Sequence, residues 1–583
     1  MATIRHAEVD AVTIGVGWTA GILAAELTRA GHTVVGLERG QLRGTQNFLN
    51  THDELRFAVD HDLMQDTAQE TWTLRHDLRE PALPFRELGA FLPGTDLGGS
   101  GIHWNGQTFR FHPRDFTIRS STIERYGKDA IPPGMSIADW GITYRELEPY
   151  YDRFEYMAGI AGKAGNLNGH IVPGGNPFEG ARSREYPLPP MKEAQSASLL
   201  SAASAQLGYH PFPQPSANLP QVYTNPDGIT RNGCTYCGFC ERFGCEVGAK
   251  ASAPVTVIPV ALATGKFEIR TGANVFEIKH DGKHAQSVLY YDGQGRVHEQ
   301  PAKTVLMTAF TFNNTRLLLN SKMGRPYDPR TREGVVGRNF THQIVLGGST
   351  FWSDKRLNRY MGSGANGTLI DDFGADNFDH HGLGFIGGAS IIYQNTGARP
   401  IQQTTVPEGT PKWGAAWKDA VRTWYDKQSD IVMQGECKAY WDHCLELDPT
   451  YRDQYGNPLL RITFDFQDDD RKMMRYISGK VADIMRASGA TKTMLQSELA
   501  AHYDTTVYQT THVNGGTIMG SDPHSSVVNN WLQMWDFENV FVVGASNFPQ
   551  NACFNPTGTV GALAYRAADG LVNRYFKKPG PLA

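Results

Sequence analysis

Residues 10–38 constrain the fold more than any other part of the chain. Residues 10–14 read as a short apolar strand, Gly15-Val-Gly17-Trp-Thr-Ala20 as a glycine turn, and residues 22–31 as a helix. A second strand, residues 32–37, ends at Glu38. Gly15 allows a tight turn, and Gly17 lets the backbone approach a pyrophosphate. Ala20 stands where a third glycine is common and alanine is tolerated. The pyrophosphate would sit on the positive end of the helix. Glu38, 23 residues after Gly15, is placed to accept hydrogen bonds from a ribose. Strand, turn, helix, strand and acid in this order predict a Rossmann-like dinucleotide site. The motif alone does not separate FAD from NAD.

Composition narrows the rest. At 583 residues the chain could form roughly four domains of about 150 residues each. Its 55 basic and 60 acidic residues argue against a nucleic-acid partner. No apolar run approaches the roughly 18 residues of a membrane span. The N-terminus runs straight towards the first strand, so the expectation is a chain with no export signal of its own. Its 62 glycines favour tight turns and close backbone–ligand contacts over a helical bundle. Of seven cysteines, four crowd into one segment: Cys234, Cys237, Cys240 and Cys245. A disulfide framework would not be spaced this way in so long a chain. Zinc sites usually separate two such pairs by a dozen or more residues, so the short loop fits an iron–sulfur cluster better than zinc or free thiols.

Further segments resemble, in order, the signatures of the glucose–methanol–choline (GMC) oxidoreductases. Leu97-Gly98-Gly99-Ser100-Gly-Ile-His103-Trp104-Asn105-Gly106 is similar to their flavin-contacting loop, and residues 305–319 to their second signature. Gly334-Val-Val-Gly337-Arg338-Asn339 resembles their GxGRN element. The stretch from His512 through Gly544-Ala545 to Asn555-Pro-Thr557-Gly resembles their active-site segment. The resemblance implies FAD and an α/β (α+β overall) fold, with a Rossmann-like FAD domain and a substrate domain built on an antiparallel sheet. The FAD domain would take residues 1–120, 230–340 and 510–583, with the cysteine loop at 232–248. Residues 121–229 and 341–509 would form the substrate domain. There, Pro211–Pro215 reads as a connection, 459–466 as a strand of the sheet covering the flavin, and 467–488 as a helix with an acidic start. Val275 would meet the adenine through its backbone.

Oxidising an alcohol on a flavin needs a proton acceptor, and a histidine titrating near neutral pH is the usual choice. His512 matches the family's catalytic histidine and Asn555 its second position, which implies a base and a clamp on the substrate oxygen. The segment around His103 resembles that of pyranose 2-oxidases whose histidine carries a covalent flavin. An 8α-histidyl bond and a histidine packed on the isoalloxazine are both open. Within the family, the cysteine loop is similar to that of bacterial membrane-bound sugar and sugar-acid dehydrogenases. These hold a three-iron, 3Fe-4S, cluster on three cysteines. Cys234, Cys240 and Cys245 match best, and Cys237 leaves a four-iron cluster open.

A one-electron relay argues for a dehydrogenase over an oxygen-using oxidase, and the active-site pair argues against a non-enzymatic flavin carrier. The resemblance further implies a small chaperone-like subunit with a twin-arginine export signal and a membrane-anchored multihaem cytochrome c subunit. The place would be the periplasmic face of the inner membrane. The substrate would be a sugar acid, first D-gluconate oxidised at C2 to 2-keto-D-gluconate. The alternatives are 2-keto-D-gluconate, D-fructose, D-sorbitol and D-glucose. Arg110 and Arg114 are the candidates for a bidentate grip on a carboxylate.

Overall fold

The computed structural model describes residues 3–49, 52–394, 399, 401 and 404–582. Its opening unit is the expected one. Val9–Ile14 and Val34–Leu37 are adjacent parallel strands joined by the helix Trp18–Arg29. All four residues of Val34–Leu37 are buried, as suits a parallel strand covered on both faces. Phe267–Arg270 extends this layer on one side. On the other, the end of Val297–Met307 pairs with both Val9–Ile14 and Val540–Val542. Val297–Met307 is 11 residues long, and its first half pairs antiparallel with Ala285–Tyr291, which pairs with Asn274–His280. One strand therefore belongs both to the parallel layer and to a three-stranded meander. Three distant stretches of chain meet in it.

The second large sheet has six strands, all antiparallel, in the order Lys492–Leu495, Ile344–Phe351, Gln428–Gly435, Ala389–Gln394, Thr368–Ile370 and Phe212–Pro213. Its two faces differ. Ile344, Leu346, Ile391, Tyr393, Ile431 and Met433 pack in one core with Met473, Ile477, Val481 and Ile484 of the helix Asp468–Ala487. The alternate residues Val345, Ile392, Gln394, Val432 and Gln434 face a cavity. Period-two alternation thus separates core from site. Gln467 caps the helix, its N–H donating to Asp470 Oδ2 at 3.0 Å, and the first turn carries three acidic residues, the acidic start that the sequence predicts.

Two local readings differ from the structure. Pro211–Pro215 is more than a connection, because Phe212–Pro213 is the edge strand of the six-stranded sheet, the place where a missing N–H costs least. The alternating segment at 459–466 is a strand, Pro458–Thr463, but it does not cover the cavity. It pairs with Cys444–Arg452 and with Thr73–Arg75 in a separate four-stranded sheet. Alternation marks a half-buried strand without saying which sheet owns it. None of the described helices is long and apolar enough to cross a membrane.

Candidate active site

A cavity of about 630 Å³ lies where the C-terminal ends of the parallel strands meet the six-stranded sheet. Open α/β sheets bind ligands at this place. Gly15, Gly17 and Glu38 line one end, with Val275 beside them. Gly15 has φ +82°, and a Cβ there would lie 3.0 Å from Ala309 Cα. The helix that follows has no side-chain cap and no acidic residue in its first turn. Its N–H groups and positive end are thus open to an anion. Glu38 Oε2 accepts from Val16 N at 2.8 Å and Oε1 from Gly40 N at 2.9 Å. Burial raises this carboxyl above its ordinary range. A carboxylate has about four acceptor positions, so room remains for a ribose.

Gly98, Gly99, Ser100, His103, Asn105, Gly544, Ala545, Asn555 and Thr557 also line the cavity. Two predicted contacts do not. Ala20 is buried within its helix, and the close helix packing is at Gly21, where a Cβ would lie 2.7 Å from Val257 Cγ2. Gly106 (φ +90°) turns the chain behind the wall, against Asn218.

At the other end the structure brings His512 and Asn555 together and adds two residues that the sequence does not single out. Gln343 donates both its N–H groups, to the carbonyls of Ala552 at 2.6 Å and Phe554 at 3.2 Å. Carbonyls only accept, so its Oε1 must be the atom 2.5 Å from His512 Nδ1. Nδ1 therefore carries the proton, and Nε2 holds a free lone pair. Asn555 Nδ2 lies 3.2 Å from that Nε2, and its Oδ1 accepts from Gln434 Nε2 at 3.1 Å. The order Gln434, Asn555, His512, Gln343 is one directed relay that leaves Nε2 as the proton acceptor. Neither glutamine sits in a local motif. Gln434 shows only as a polar cavity-side position in an alternating strand.

The expected titration near neutrality is not met. Burial, with His342 nearby, lowers His512 to about 3. Its ring partners are two neutral amides, which stabilise an imidazolium less than a carboxylate would. His512 is thus a neutral, proton-accepting ring throughout the physiological range.

The cysteine loop backs directly onto the cavity wall. Arg242 N donates to His103 O at 2.6 Å. The buried Lys250 ammonium donates to the carbonyls of Trp104 (2.6 Å), Cys240 (2.6 Å) and Phe243 (2.8 Å). Lys250 joins the loop to the flavin-contacting segment, a role without a sequence signal. All four thiols are free. Burial, with mutual repulsion, raises Cys234 to about 12 and Cys240 to about 11. No three of the four sulfurs lie within 4.8 Å of one another, as a single tetrahedral ion would need. His103 is buried, its Nε2 lacks a hydrogen-bond partner, and burial near Lys250 lowers it to about 3.

Models of the GMC oxidoreductase family match residues 223–345 and 444–564. The chain is 44% identical to the gluconate 2-dehydrogenase flavoprotein of Pantoea cypripedii, over 99% of this chain and 95% of that one. This chain is a GMC oxidoreductase. It is also 25% identical to the fructose dehydrogenase large subunit of Gluconobacter japonicus, over 97% and 98% of the two chains. The crystal structure of pyridoxine 4-oxidase from Mesorbium loti shares the fold, with TM-score 0.62 and 17% identity over 97% of this chain and all of that one.

The first matched segment contains the cysteine loop and the second contains His512 and Asn555. The glycine turn, the uncapped helix and the size of the cavity fit FAD, and this GMC oxidoreductase is an FAD-dependent dehydrogenase. Its carboxylate candidates fail on geometry. Arg110 holds Glu155 through two bonds, at 2.9 and 2.8 Å, and Glu148 at 2.8 Å. Arg114 holds Glu436 at 3.2 Å. Both arginines are buried in these ion pairs, and neither lines the cavity.

Proposed function

We propose that this dehydrogenase oxidises D-gluconate at C2 to 2-keto-D-gluconate and passes the electrons singly, through an iron–sulfur cluster, to a cytochrome c subunit. The observation that carries the substrate is the 44% identity, over nearly the whole of both chains, to a gluconate 2-dehydrogenase flavoprotein. Bound FAD would supply the hydride acceptor. Gly15, Gly17 and the helix end would hold its pyrophosphate, and Glu38 its ribose. The substrate hydroxyl would take the place of Asn555 Nδ2 as donor to His512 Nε2, and the released Asn555 N–H would hold the same oxygen. Gln343 keeps Nδ1 protonated, so the incoming proton has one destination.

Four cysteines within one short loop favour a multi-iron cluster over a single zinc ion. Cys234, Cys240 and Cys245 would hold a three-iron cluster, and Cys237 would complete a four-iron one. Lys250 would hold the cluster loop against the cavity wall. The unpartnered Nε2 of His103 suits either an 8α-histidyl bond or packing on the flavin. A small subunit with a twin-arginine signal would accompany export. A membrane-anchored multihaem cytochrome c would receive electrons at the periplasmic face.

The test is an anaerobic mix of the holoprotein with D-gluconate, 2-keto-D-gluconate, D-fructose, D-sorbitol and D-glucose in turn. Flavin absorbance and the paramagnetic iron signal are followed together. Bleaching by gluconate alone, followed by cluster reduction, is the expected result. Bleaching by a neutral sugar instead overturns the substrate. Absence of an iron signal overturns the relay. Flavin fluorescence on a denaturing gel separates the two states of His103.

A further inference from the structure

Away from the cavity, three side chains from distant segments converge: His112, Asp371 and Cys553. Their ligand atoms all lie within 4.8 Å of one another. His112 is 3% exposed, and Asp371 and Cys553 are fully buried. His112 Nε2 is 3.0 Å from Asp371 Oδ2, an ion-pair contact not aligned as a hydrogen bond, and it also faces the Cys553 thiol. Asp371 Oδ1 is unpartnered. Buried polar atoms without partners are rare and call for a reason.

We propose that His112, Asp371 and Cys553 bind one divalent transition-metal ion, zinc by the nature of the donors, at a three-ligand site distinct from the cysteine loop. Thiolate, imidazole and carboxylate are the usual zinc ligands, and bonds of about 2.0–2.3 Å place tetrahedral neighbours roughly 3.3–3.7 Å apart. The 4.8 Å within which all three ligand atoms lie must contract to reach that spacing. Two positive charges would cancel one thiolate and one carboxylate, so the buried assembly is neutral. The surroundings support the ligands. Asn176 Nδ2 donates to Asp371 Oδ2 at 2.9 Å, the kind of outer contact that orients a metal-binding carboxylate. The Phe554 ring stacks on His112, with centroids 5.0 Å apart. Gly374 closes the remaining side with bare backbone, since a Cβ there would lie 2.1 Å from Asp371 Oδ1 and 3.3 Å from Cys553 Sγ.

The position gives the ion a purpose. Cys553 precedes Asn555 by two residues, Asp371 directly follows the strand Thr368–Ile370, and His112 follows the flavin-contacting loop. The ion would fasten the segment carrying Asn555 to the six-stranded sheet. The competing state is a proton on His112. Burial opposes that proton, but Asp371 and Cys553 outweigh burial and raise the imidazole well above its ordinary value.

Metal analysis of the holoprotein decides between the two. Zinc and iron per chain are measured by mass spectrometry in the wild type, Cys553→Ser and His112→Gln, with flavin content alongside. One zinc per chain in the wild type, lost in both variants while iron and flavin persist, is the expected result. Removal by a strong chelator should then lower the wild-type melting temperature, and added zinc should restore it. Stoichiometric zinc retained in both variants overturns the proposal. So does a wild type without zinc whose melting temperature ignores both chelator and zinc, which identifies a protonated pair. Should the variants not fold, cobalt exchange into the wild type decides: a thiolate-to-cobalt charge-transfer band supports the site, and its absence overturns it.

Discussion

The two ends of the cavity are made of opposite materials. The nucleotide end is backbone: glycines, a helix terminus and one acid, nearly all within a single run of chain. The catalytic end is side chain: Gln434, Asn555, His512 and Gln343 come from four separate segments, and each is oriented by the next. The first works by what is missing at Gly15. The second works only when four functional groups arrive together. Damage should therefore reach them differently, binding at one end and rate at the other.

The largest effect is expected at the catalytic end. His512→Ala should slow substrate-dependent flavin bleaching by about 10²- to 10⁴-fold, with flavin content unchanged. A similar loss of flavin would mean that the two ends are not separable. Gly15→Val should do the reverse. Its left-handed backbone costs a side chain roughly 1–2 kcal/mol before the contact with Ala309 is counted. The flavin-to-protein ratio should fall, while the rate per bound flavin stays near wild type.

Gln343 tests the relay more finely. Gln343→Leu removes the partner of His512 Nδ1 and should lower kcat by about 10-fold, less than the loss of the acid–base group itself, with little change in KM. Gln343→Glu puts a carboxylate beside the ring, which favours the imidazolium. The acid limb of the pH–rate profile should then move to higher pH. An unmoved limb would reduce Gln343 to packing.

The last effect is on stability. His512 and His103 are lowered to about 3 and His342 to about 4, all by burial first. Between pH 6.5 and these values the unfolded chain takes up protons that the folded chain refuses. The stability contributed by these rings is complete above about 6.5 and is lost as pH falls through that window. The melting temperature of the flavin-free protein should therefore fall between pH 6.5 and 4, and less steeply in His342→Gln.

This division also sets what could be read in advance. Gly15, Gly17 and Glu38 follow one another within a strand–helix–strand unit, so local spacing carries their meaning. His512 and Asn555 are legible only because a family motif surrounds them. Gln343 and Gln434 are not, since their roles depend on which carbonyls the fold brings near. The same limit explains Pro458–Thr463, where the alternation is correct but the partner strand, Thr73–Arg75, lies far earlier in the chain. Arg110 and Arg114 follow the flavin loop in sequence but turn away to Glu155 and Glu436.

The shared strand Val297–Met307 has a consequence for how the molecule is made. Its partner Val540–Val542, and the Gly544, Ala545 and Asn555 that complete the cavity, lie in the last tenth of the chain. A ribosome adding about 5–20 residues per second finishes the glycine turn long before this closing strand exists. The nascent chain can offer a phosphate cradle but no enclosed pocket. Flavin capture thus waits until residues 540–557 have been made, and a truncation before Val540 that leaves every early motif intact would yield a colourless protein.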